Sequence, residues 1–144
     1  MLGGTVNSLT GGLLSNMAAG KVLTITGGEF ASMTGGDITT LNGGLVTALS
    51  GGTIATMTSG DVGTLSGTGK ITTVNNGTIA SMTGGTVSTM NDGTVSSFTG
   101  VTIVILNEDA TITNWAGGTV NNFNNANYVT WTSGRIVNMN YGTI

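Results

Sequence analysis

Cysteine, proline and histidine are missing from all 144 residues. Disulfide staples, thiolate chemistry and imidazole ligands or bases are excluded together. Charge is scarce as well: three Lys/Arg and six Asp/Glu leave a net charge of −3, too weak a field to steer a strongly charged partner such as nucleic acid. No run approaches the roughly 18 consecutive apolar residues of a membrane span. The opening Met1-Leu2-Gly3-Gly4 lacks the basic and apolar regions of a secretory signal, so no Sec address is expected. With only carboxylates and three basic groups to hand, general acid–base catalysis has few candidates; the expectation is a protein that is not an enzyme and needs no cofactor.

What the chain has instead is 26 glycines among many Thr, Val, Ile and Asn. β-Branched residues favour strands, and glycine weakens helix interiors, so an all-β fold with tight corners is expected. The order is an octad, Gly-Thr-Val-x-x-Leu-Thr-Gly, that runs along the whole length. Its first apolar slot holds Val6, Leu14, Val22, Phe30, Ile38, Val46, Ile54 and Val62, and continues from Ile71 and Ile79 to Ile136 and Ile144. Three residues after each comes a second apolar slot, among them Leu9, Met17, Ile25, Met33, Leu41, Leu49, Met57 and Leu65. Two residues before the first slot stands a glycine in most octads, as at Gly4, Gly36 and Gly134, where a corner with positive φ or close backbone approach is expected. Single-residue insertions near Gly67-Thr68-Gly69 and Glu108-Asp109 interrupt the count; corners absorb such residues, so both belong outside the core.

Slot spacings of three and five are odd, whereas a strand alternates its faces with period two. Either the chain bends so that both slots enter the core, or the Leu/Met slot forms an outward apolar ridge. Glu29-Phe30-Ala31-Ser32-Met33-Thr34 is similar to Thr53-Ile54-Ala55-Thr56-Met57-Thr58 and to Thr78-Ile79-Ala80-Ser81-Met82-Thr83. This longer similarity suggests three octads per coil. The expected architecture is one domain over 1–144, a three-sided parallel β-solenoid of about 24 residues per coil and roughly six coils, with Met33 stacked on Met57 and Phe98 next to Phe123. A trimeric intertwined β-helix is the alternative. Neither end shows a polar cap, which points to stacking of copies end to end.

Several candidate sites stand out. Asp37 and Asp61 would lie one coil apart as a carboxylate pair, against the simpler reading of two surface charges. Asp92 with Glu108 and Asp109 is an acidic group of the kind that binds Ca²⁺, although no Asp-bearing loop recurs. Thr-rich faces suggest ice binding, but Lys21, Asp37, Asp61, Lys70 and Arg135 interrupt them. Asn76-Gly77-Thr78 matches a glycosylation sequon, as chance permits in such a composition. The part from 110 to 144 is rich in aromatics and Asn. Trp115, Trp131, Tyr128 and Tyr141 are candidate glycan contacts there, against the simpler reading of stacked aromatics in a wider core.

Gly85-Thr86-Val87-Ser88-Thr89-Met90 and its repeats resemble the low-complexity β-helical shafts of bacteriophage tail fibres and spikes, over essentially the whole chain. A second resemblance is to the solenoid filaments of bacterial functional amyloids. These resemblances imply a structural protein: a rigid extracellular filament of copies joined head to tail, or a shaft segment in a virion held between other virion or surface proteins. Ice or glycan binding is the third reading.

Overall fold

The structure is a computed structural model that describes residues 1–141; the first-slot position Ile144 and the corner Gly142 lie outside the described residues. With β-branched and apolar residues at every slot, the chain is extended almost throughout. The strands are β1 (Leu2–Leu9), β2 (Leu13–Met17), β3 (Ala19–Ile25), β4 (Glu29–Met33), β5 (Asp37–Leu49), β6 (Thr53–Leu65), β7 (Lys70–Val74), β8 (Thr78–Met82), β9 (Thr86–Phe98), β10 (Thr102–Asn124) and β11 (Asn127–Tyr141). Every pairing between these strands is parallel. The long strands, β10 above all, stay extended around a corner. The result is an all-β solenoid of about nine coils, wound by one chain on itself.

Register decides the coil length. Val6 pairs with Val22, Val22 with Ile38 and Ile38 with Ile54, a step of two octads each time. Two octads make a coil, not three. One ladder carries Val6, Val22, Ile38 and Ile54; the other carries Leu14, Phe30, Val46 and Val62. The expected three-sided coil of three octads is therefore corrected. Met33 stacks on Met17 and Leu49, while Met57 belongs to the other ladder, between Leu41 and Val74. Phe98 is followed in its column by Trp115, and Phe123 by Met139. An offset of three octads is one and a half coils, so it carries a residue to the opposite ladder. The similarity of those segments marks interchangeable octads, not neighbours in space.

Both slots face the core. Ile38, Leu41, Ile54 and Met57 are all closed to solvent, as are their counterparts through Val120 and Phe123. The bend that allows this is visible in the register, which runs Lys21↔Asp37, Val22↔Ile38, Thr24↔Thr40 and Ile25↔Leu41. Leu23 and Thr39, between the first two inward positions, are passed over and exposed. Two consecutive outward residues separate the inward ones, which reconciles an odd spacing with a strand. Each coil then contributes four apolar side chains to a narrow core, and no polar or charged residue is buried among the described residues.

The corners follow the glycine pattern. Gly36 has φ of +80°, and a Cβ there would stand 2.7 Å from the Gly20 carbonyl oxygen of the preceding coil. Positive φ and a backbone pressed against the next layer both require glycine. The insertions lie outside the core as expected. Thr68, Glu108 and Asp109 are exposed, and the register lengthens by one residue as it crosses them, to Thr53↔Lys70 and Asp92↔Asp109.

Candidate functional site

Outward residues form columns because each layer repeats the one below it. Thr24, Thr40, Thr56, Thr73 and Thr89 make one such column on the first ladder. It is half-buried. The neighbouring column, just before the first slot, reads Lys21, Asp37, Thr53, Lys70 and Thr86, so charge breaks up this face. Asp61 stands on the other ladder, beside Leu45 and Thr78. The Asp37/Asp61 pair expected from a coil of three octads does not exist; the two carboxylates are on opposite faces, with Thr53 beside Asp37 instead.

The aromatic candidates separate into three environments. Trp115 is fully buried, which removes it as a contact for a glycan at the surface. It lies edge-on to Phe98 at 5.6 Å and stacks on Trp131 at 5.2 Å and on Phe123 at 6.5 Å. Tyr128 packs edge-on to Trp131 and Phe123; Tyr128 and Trp131 are half-buried core-slot residues of the last described layer. Such rings form the wider aromatic core, each pair contributing about 0.5–1.5 kcal/mol beyond its buried area. Only Tyr141 is open, at 76% exposure. The indole Nε1 of Trp115 is buried without a hydrogen-bond partner, beneath Gly134, whose backbone approaches too closely to leave room for a side chain.

Tyr141 lies beside a hydrogen-bonded column of asparagines on the surface. Just after the second slot of the first ladder, successive layers present Asn75, Asn91, Asn107, Asn124 and Asn140. Their amides form a chain of hydrogen bonds: Nδ2 of Asn91 donates to Oδ1 of Asn75 at 2.9 Å, Asn107 to Asn91 at 2.7 Å, Asn124 to Asn107 at 2.8 Å and Asn140 to Asn124 at 2.6 Å. Lower down, Thr58 donates to Asn42 in the same column at 2.7 Å. All the bonds between asparagines point the same way, each donor lying later in the chain than its acceptor. These asparagines recur once per coil of two octads, a signal that the three-octad reading concealed.

Beside this ladder runs the corner enlarged by the second insertion. Asp109 pairs in register with Asp92 of the layer below, so their backbones lie at the strand spacing of about 4.8 Å, and the Asp92 carboxylate accepts from the Gly93 N–H. Ala110 replaces the usual corner glycine. One layer on, the left-handed conformation passes to Asn125, whose φ is 58° and whose N–H donates to the Tyr141 carbonyl at 3.1 Å. Asn tolerates that conformation better than other residues with a Cβ. The bulged corner, the ladder and Tyr141 enclose an open groove of about 630 Å³. The Ca²⁺ expectation at Asp92, Glu108 and Asp109 gains no support: among the described residues no three His, Cys, Asp or Glu are grouped to hold a metal ion. A scan against family models and searches of curated proteins and of solved structures returned no match.

Proposed function

We propose that this chain is a structural protein whose solenoid units join end to end, in one direction, into a rigid extracellular filament. The observation that carries this reading is the sameness of the layers. Each presents its backbone donors and acceptors along the axis and repeats the apolar slots and the two-octad register of its neighbour. Any layer can therefore receive another of its kind, whether from the same chain or from a copy. In the outermost described layers Val6, Leu9, Leu14, Ile136 and Met139 are only partly buried, so a further layer would remove apolar area from water and pair open strand groups. Low charge does little to oppose the approach.

The test is electron microscopy and sedimentation of the purified chain. Rods much longer than the roughly 40 Å that nine layers span at the strand spacing are expected. Thr5→Asp with Asn7→Asp and Ser8→Asp should shorten them while leaving each solenoid folded, since all three positions are exposed. A wild-type protein that stays monomeric at high concentration would refute the filament and favour a shaft segment held between other proteins.

A further inference from the structure

The groove beside the asparagine ladder has a chemistry that stiffening the rod does not need. An Asn amide offers two N–H donors and two acceptor lone pairs. Asn91, Asn107 and Asn124 each commit one donor and one lone pair to the ladder. Each keeps a second donor and a second lone pair, held in a fixed orientation and repeated at about 4.8 Å from layer to layer. A hydroxyl is the complementary group, because it donates and accepts at once. At one end of the groove the Tyr141 ring is exposed and takes part in none of the ring pairs found among the described residues. An aromatic face with fixed polar groups beside it suits the C–H face and hydroxyl rim of a sugar. The volume of about 630 Å³ falls within the usual range for small-molecule sites.

We infer that this groove binds a neutral, extended oligosaccharide laid parallel to the solenoid axis. The direction follows from the repeat: polar pairs recur along the axis at a spacing close to the length of one sugar ring in an extended chain. Neutrality follows from Glu108 and Asp109 in the lining, which repel uronates and sulfated sugars, while among the described residues no basic side chain lines the groove to attract them. The inference does not rest on end-to-end joining, since the groove lies along the side of a single chain; binding is therefore measured on the dilute protein, below the concentration at which rods form.

Cellotetraose serves as the probe, titrated by calorimetry and by NMR of the side-chain amides of Asn91, Asn107 and Asn124. Saturable binding with Kd of about 0.1–1 mM is expected, as for an open, polar site. Tyr141→Ala, which removes the aromatic face, and Glu108→Ala, which removes a carboxylate acceptor for the sugar hydroxyls at the groove wall, should each weaken it roughly fivefold or more. Both side chains are exposed, so an unchanged melting temperature will show that the fold survives. Depletion of the protein by amorphous cellulose, compared with binding of the soluble tetramer, separates a chain in a fibre from a free one; either supports the inference. No saturation by about 10 mM probe, wild-type affinity in both variants, equal affinity for tetragalacturonate, or the same amide shifts from CaCl₂ alone would each overturn it.

Discussion

At Gly36 a single residue meets two demands, a φ of +80° and contact with the Gly20 carbonyl of the coil below. Gly36→Val supplies a Cβ that satisfies neither, and a loss of about 1–3 kcal/mol or more is expected in urea denaturation. Deleting Thr68, exposed in the first insertion, should cost well under about 1 kcal/mol, because it restores the uninterrupted octad. A reversal of that order would show that the corner has been placed at the wrong residues. Asp109 sits over Asp92 in the ladder. Like charges directly opposite one another destabilise a sheet, so Asp109→Asn should raise the urea midpoint by the equivalent of about 0.2–1 kcal/mol. No gain would mean that the two carboxylates splay apart into solvent.

At the scale of the element, what matters is which residues stack. Met33 and Leu49 occupy successive layers of one column, whereas Met57 lies one and a half coils from Met33 on the other ladder. Truncating buried Met33 or Leu49 to alanine should cost about 2–5 kcal/mol each. The double variant Met33→Ala with Leu49→Ala should depart from additivity by about 0.5–3 kcal/mol, while Met33→Ala with Met57→Ala should add to within about 0.5 kcal/mol. Coupling in the second pair and not the first would restore a coil of three octads. In the asparagine ladder, Asn107 both donates to Asn91 and accepts from Asn124. Asn107→Ala removes two bonds at once, and a loss of about 1–3 kcal/mol is expected.

For the whole molecule, stability is the sum of layer terms and nearest-neighbour interfaces. Hydrogen exchange should be slowest in the middle layers, around Val62 to Val95, whose slots are closed on both sides, and fastest in β1 and β11. If copies join end to end, protection of β1 and β11 should rise with protein concentration, while that of the middle layers stays constant. Exchange at the ends that does not change with concentration would speak against the joint.

The local rules were readable from the residues alone. Val and Ile at the first slot, apolar residues three further on and glycine two before predict short apolar strands and glycine corners, while the odd spacing leaves open whether the second slot faces the core or the surface. The structure turns both slots inward, keeps the corners at most of the glycines, and leaves the insertions outside the core. How many octads close a coil is a different kind of question. An octad fits a two-octad or a three-octad coil equally well by its own pattern, and resemblance between octads cannot choose, because every octad is built to occupy every position. Only closure of the backbone on itself, recorded in the step from Val6 to Val22 to Ile38, sets the coil at two octads. That closure brings Asn91, Asn107 and Asn124 into one ladder, sends Asp61 away from Asp37, and buries Trp115 while leaving Tyr141 in the open. These placements join residues a full turn apart, so they depend on where the chain returns and not on what any one octad prefers.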